Sequence, residues 1–102
     1  MVLDRILAEK RKEVEARKRA LPLDSFRADL RPSTRSFRQA LQRPGTRFVL
    51  ECKKASPSKG LIRDNYDAAS VASQYAPFAD AISVLTDGPF FQGSLDDLQR
   101  VA

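Results

Sequence analysis

The sequence predicts an α/β fold, a parallel strand-helix-strand unit preceded by a helical segment. Two apolar runs, Phe48–Cys52 and Ala81–Thr86, have the length and the β-branched and aromatic character of strands. Between them Asp67 opens a stretch, Ala68 to about Ala76, whose apolar residues recur at helical spacing. Strand, loop, helix and strand within about forty residues make a βαβ unit, which crosses over right-handedly. Upstream, residues 1–46 carry helix and turn signals but no strand signal. The expected organisation is therefore a helical extension over residues 1–46 and an α/β region over 47–102.

Each element has its own local justification. Val2 to Ala20 is rich in helix formers and free of Gly and Pro, so it is expected to form one helix with a narrow apolar stripe of Leu3, Ile6, Leu7 and Val14. Glu9 with Lys12, Glu13 with Arg17 and Glu15 with Arg19 are spaced as favourable pairs on its surface. Leu21-Pro22 ends it, since the residue before proline is driven from helical angles. Asp24 is placed to cap a short helix over Ser25–Leu30 with Phe26 and Leu30 on one side. Ser36 is placed to cap another over Phe37–Gln42 with Phe37, Ala40 and Leu41 buried. Arg43-Pro44-Gly45 is a turn into the first strand. A polar loop, Lys54–Asn65, follows that strand and contains Pro57, Gly60 and the basic residues Lys54, Lys59 and Arg63. The second strand, Ala81–Thr86, reads as covered on both faces. Ser94, with Asp97 three residues on, opens a last helix marked by Leu95, Leu98 and Val101.

Composition narrows the chemistry. The 42% hydrophobic and 30% charged content is that of an ordinary globular chain. No run approaches the ~18 apolar residues of a membrane span, and nothing resembles a signal peptide, so the default expectation is a cytoplasmic protein without membrane association. With one cysteine and no histidine, the segment holds no internal disulfide, no Cys-rich zinc site and no histidine-based triad or metal site. Carboxylates and lysines remain as acid-base groups.

The stretch with most chemical content is Arg47–Gly60. Side chains alternate across a strand, so Glu51 and Lys53 share one face with Val49, and Phe48, Leu50 and Cys52 take the other. An acid and an ammonium are thereby placed at the carboxyl end of a strand, where α/β sheets put their chemistry. The ordinary alternative is that the pair is simply the solvated side of an amphipathic strand.

The run Phe48-Val49-Leu50-Glu51-Cys52-Lys53-Lys54-Ala55-Ser56-Pro57-Ser58 resembles the first barrel strand of indole-3-glycerol phosphate synthases without a departure. Ala81–Asp87 and Phe90-Phe91-Gln92-Gly93-Ser94 resemble that family's second strand and the segment after it. The resemblance implies a (β/α)₈ TIM barrel, of which a chain this short holds only about two strands, because a full barrel needs roughly 250 residues. It implies a carbon-carbon lyase that closes the indole ring of 1-(2-carboxyphenylamino)-1-deoxyribulose 5-phosphate with loss of carbon dioxide and water, without metal or organic cofactor. Glu51 and Lys53 are then the catalytic pair. Ser56, Pro57, Ser58 and Phe91 contact substrate, with Pro57 and Phe91 walling its aromatic ring, and the loop after the first strand closes over it. For Phe91 ordinary core packing is an equal alternative. The family's general-acid lysine and phosphate loops belong to later strands, so a chain of these 102 residues alone is expected to be inactive. Fusion of the parent to phosphoribosylanthranilate isomerase is left open.

Two rival readings accompany this one. Residues 1–47 hold 13 Lys/Arg against 6 Asp/Glu, and residues 48–102 hold 5 against 7, so the +5 net charge sits in the first half. Such asymmetry suits a basic nucleic-acid-binding module, but glutamates are interleaved with the basic residues and no nucleic-acid-binding signature accompanies them. Another phosphosugar-handling barrel would share the βαβ start but not the full first-strand motif.

Overall fold

Local rules account for most of the helical boundaries. The computed structural model describes residues 1–102, which form two compact units, Met1–Thr34 and Arg35–Ala102.

In the first unit, α1 spans Val2–Ala20 and ends where Leu21 leaves helical angles (φ −141°, ψ 81°) ahead of Pro22. Its charges are compensated along its own surface: Lys12 pairs with Glu9 at 3.0 Å, and Glu13 is shared by Lys10 (2.6 Å) and Arg17 (2.5 Å). Glu15 pairs with Lys18 at 3.4 Å, where the spacing predicted Arg19. Of the apolar stripe only Ile6 is half-buried, and Leu3, Leu7 and Val14 are exposed. The helix expected over Ser25–Leu30 is replaced by two 3₁₀ turns, Leu23–Ser25 and Arg27–Asp29. Pro22 starts the first turn two residues early, its carbonyl accepting the Ser25 hydroxyl at 2.6 Å, and Asp24 turns to Arg27 (3.2 Å) instead of capping. Three-residue turns present no common face, so Leu30 is exposed.

The second unit begins with α2, Phe37–Gln42, whose Ser36 hydroxyl accepts the Gln39 N–H at 3.1 Å. Its expected buried side is open, with Phe37 60% and Leu41 39% exposed and Ala40 half-buried. Gly45 at φ +86° turns the chain into β1, Val49–Cys52. The loop expected over Lys54–Asn65 contains a hairpin: β2 (Ala55–Ser56) and β3 (Gly60–Leu61) pair antiparallel, Ala55 opposite Leu61 and Ser56 opposite Gly60. Gly60 at φ +64° closes that hairpin.

Helix α3, Ala68–Tyr75, is capped by Asp67, whose carboxylate accepts the Ser70 N–H at 3.2 Å. It returns the chain to β4, Ala81–Val84, which lies parallel to β1 with Val49, Leu50, Glu51 and Cys52 opposite Ala81, Ile82, Ser83 and Val84. Helix α4, Leu95–Val101, starts at Ser94, whose hydroxyl accepts the Asp97 N–H at 3.1 Å. The chain is thus an α/β protein with a parallel two-stranded sheet.

One face of the sheet carries the core. Cys52 is fully buried with Val71 and Ala72 of α3, and Tyr66, Tyr75, Ile82, Val84 and Val101 pack around them. Ala68 is also inaccessible. The strands are not covered on both sides as expected: all of β4 is half-buried, and Phe48 and Val49 are about half exposed. At the amino ends of the strands, Asp80 receives the Phe48 N–H at 2.8 Å and the Arg47 guanidinium at 3.1 Å. The Phe48 carbonyl in turn accepts the N–H groups of Asp80 and Ala81 at 2.8 and 3.2 Å. This clamp sets the register of two strands separated by 28 residues of chain. No helix is long and apolar enough to cross a membrane.

Candidate active site

The period of two that separates Glu51 from Cys52 decides what each meets. Cys52 turns into the α3 side of the sheet, where burial, aided by the charges of Asp97 and Glu51, raises its thiol pKa and keeps it protonated. Glu51 and Lys53 turn to the opposite face. Lys53 Nζ lies 3.0 Å from Glu51 Oε1. Ser83, directly across the parallel ladder from Glu51, places its hydroxyl 3.5 Å from Oε2, the long limit for donation. Lys53 Nζ also stands over the Phe91 ring, 6.0 Å from its centroid.

The pair is half open, with side-chain exposures of 35% for Lys53 and 44% for Glu51. Pairs this wet contribute about 0–1 kcal/mol. The two charges are therefore not what joins the strands; the Asp80 clamp and the Cys52 cluster do that. What the pair supplies is a carboxylate and an ammonium held at hydrogen-bond distance at the carboxyl end of a strand, beside a hydroxyl and an aromatic face. This set can stabilise a developing negative charge and hold an acidic proton donor in place.

Helix α3 braces the site from behind. The Tyr75 hydroxyl donates to the Glu51 carbonyl at 3.1 Å, tying the backbone of the acidic residue to the helix. The segment after β4 braces it from the side. Asp87 Oδ2 accepts the N–H groups of Phe90 and Phe91 at 2.7 and 3.2 Å. The Asp87 carbonyl accepts the Gly93 N–H at 2.7 Å. Gly93 passes so close to β4 that a Cβ there would sit 1.9 Å from the Leu85 carbonyl oxygen, which only glycine permits.

Of the residues singled out from sequence, Glu51, Lys53 and Phe91 come together. Phe91 is half-buried against the Lys53 ammonium and is not among the residues packed on Cys52. Ser56 ends β2, and Pro57 and Ser58 lie in the turn of the β2–β3 hairpin. The Ser56 hydroxyl, 8% exposed, accepts the Lys59 N–H at 3.2 Å and lies 3.4 Å from the Ser58 hydroxyl. Ser58 is exposed and Pro57 half-buried. No hydrogen bond or ion pair joins this turn to the Glu51–Lys53 pair. Sequence reasoning passed over Ser83, Tyr75 and Asp87. Ser83 was findable as the one hydroxyl inside the apolar run of β4, whereas Tyr75 read as a core residue of its helix. No three Cys, Asp or Glu side chains converge as a metal site would require.

A family model described as "Indole-3-glycerol phosphate synthase" matches residues 3–102. The "Tryptophan biosynthesis protein TrpCF" of Salmonella typhi is 57% identical over 101 residues, covering 99% of this chain and 22% of that protein. Its namesake in Vibrio parahaemolyticus is 53% identical over 100 residues, covering 98% and 21%. The "Indole-3-glycerol phosphate synthase" of Chlorobium phaeovibrioides is 50% identical over 105 residues, covering 98% and 41%. The chain thus spans between about a fifth and two fifths of the length of these relatives.

Proposed function

Because the chain belongs to the indole-3-glycerol phosphate synthase family, we propose that it supplies the first catalytic strand of such an enzyme. The reaction is closure of the indole ring of 1-(2-carboxyphenylamino)-1-deoxyribulose 5-phosphate, with loss of carbon dioxide and water. The observation that carries this is the Lys53–Glu51 pair, set at the carboxyl end of β1 under Phe91 and across from Ser83. In this reading Lys53 contacts the anionic substrate and stabilises negative charge as the ring closes. Glu51 keeps Lys53 oriented. Phe91 and Pro57 wall the substrate's aromatic ring, and Ser56 and Ser58 offer hydroxyls from the hairpin. No cofactor is required.

The parallel β1–β4 pair is then the start of a (β/α)₈ barrel over residues 47–102, with residues 1–46 as a helical extension before it. The remaining catalytic groups that membership implies are not among these 102 residues, so this chain alone gives no turnover. The parent works in the cytoplasm and is joined to phosphoribosylanthranilate isomerase, and the TrpCF names of two relatives support that fusion. A nucleic-acid-binding role is disfavoured by α1, where glutamates already engage Lys10, Lys12, Arg17 and Lys18.

The test is a pair of substitutions in the full-length protein, assayed for indole-3-glycerol phosphate formation. Lys53→Ala is expected to lose about 10²-fold or more in kcat/KM, the scale for removing one stabiliser of developing charge, and Lys54→Ala to stay close to the parent. Equal losses would remove the assignment of the site to this face.

A further inference from the structure

We infer that Asp87 is a positioning residue, whose carboxylate holds the Phe91 ring against the Lys53 ammonium. The inference rests on the reading of the Lys53 face as the substrate site. Phe91 lies four residues past Asp87 in a segment without regular structure, where an aromatic side chain would normally sample many directions. Two anchors remove that freedom.

The first is the Asp87 side chain, which takes the Phe90 and Phe91 N–H groups on a single oxygen at 2.7 and 3.2 Å, as a capping residue takes the first amides of a helix. The second anchor is the far end of the segment. Gly93 donates to the Asp87 carbonyl at 2.7 Å, Gln92 donates to the Gly88 carbonyl at 2.9 Å, and Gln92 takes a left-handed φ of 52°. Gly93 itself is pressed on Leu85, where no side chain fits. A turn fastened at both ends to residues 85–88 leaves Phe91 one place to go, and that place is beside Lys53, 6.0 Å from Nζ. The ring thereby contacts a charge when it would otherwise join the apolar cluster around Cys52, which lies on the other face of the sheet. An arrangement that gives up core burial for contact with an ammonium is what a substrate wall requires.

The experiment uses full-length protein with three variants, Asp87→Ala, Asp87→Asn and Phe91→Leu, and two readouts. One is the NMR shift of the Lys53 ε-methylene protons in lysine-labelled protein, assigned by its loss in Lys53→Arg. The Phe91 ring displaces this signal, and Phe91→Leu calibrates the displacement. The other is the separate measurement of KM and kcat. Asp87→Ala is expected to abolish the ring-current displacement and to lower kcat/KM by about 10- to 100-fold, the scale of a small misplacement at a site, mostly through KM. Asp87→Asn keeps an acceptor oxygen for both amides and is expected to restore most of the displacement and of the affinity. An unchanged Lys53 signal in Asp87→Ala overturns the inference whatever the kinetics, and so does an Asn variant as impaired as the Ala variant in both readouts. A lost displacement with unchanged KM and kcat upholds the positioning by Asp87 and instead overturns the substrate role of Phe91.

Discussion

The two compact units are held together by different physics. Within Met1–Thr34 the pairs Lys10–Glu13, Lys12–Glu9, Arg17–Glu13, Lys18–Glu15 and Arg27–Asp24 each span three or four residues, and no residue is buried. Within Arg35–Ala102 the decisive contacts join residues 24 to 33 apart: Tyr75 to Glu51, Asp80 to Phe48, Ser83 to Glu51, Arg100 to Asp67. All of the buried residues, Cys52, Ala55, Ser56, Ala68, Val71 and Ala72, belong to this unit. The first unit is a product of neighbouring residues and stays wet. The second closes loops in the chain, and only there do charged groups acquire fixed partners on a second element.

Substitutions test that contrast in decreasing order of effect. Gly93→Ala drives a methyl group into the Leu85 carbonyl and is expected to destabilise the fold by about 3 kcal/mol, the upper end for overpacking. Urea unfolding followed by circular dichroism measures it, and a loss below about 1 kcal/mol would mean that the chain slides away from β4 easily. Asp80→Ala leaves the Phe48 N–H and Arg47 without their acceptor at a side chain only 10% exposed, and is expected to cost about 2 kcal/mol in the same measurement. An effect of a few tenths would show that the clamp follows the strands instead of registering them.

The Tyr66 hydroxyl gives a pH test. Burial beside the core, with the charges of Cys52, Asp97, Tyr75 and Asp67 adding to it, pushes its pKa from 10.0 up to about 12. The folded state therefore keeps this proton over a range where the unfolded chain releases it, and stability falls as pH rises from about 10 towards 12. Tyr66→Phe is expected to flatten that part of the profile, measured as melting temperature against pH, and an unchanged slope would place the ring in water. The smallest effect belongs to the first unit. Glu13→Gln removes pairs worth only about 0.2–0.5 kcal/mol each. A change above about 1 kcal/mol in global unfolding would show that α1 supports more than itself.

The same contrast explains what was legible in the amino acids. Ser36, Asp67 and Ser94 cap helices as read, since a cap is a matter of three residues. The shared face of Glu51 and Lys53 was readable because a strand has a period of two. Residues 23–29 were misread because Pro22 starts its own 3₁₀ turn and Asp24 prefers Arg27, a choice between two local partners that pattern alone does not rank. The hairpin at 55–61 was missed because its strands are only two residues long, too short to show alternation. The anchoring roles of Asp80 and Asp87 carry no signal in the pattern, because they hold backbone amides, which every sequence offers everywhere.

The closeness of Lys53 to Glu51 sets the electrical character of this face of the sheet. Before any ligand arrives the ammonium is already answered by a carboxylate, so the face is neutral at close range and exerts little long-range pull on an anion. Any anionic ligand of this face must compete with Glu51 for the same three N–H donors, sharing them or prising the acid away, and long-range attraction has to originate from charges beyond this pair. An anion that merely drifts past such a face gains little, and one whose shape reached Lys53, Phe91 and Ser83 together would gain from all three.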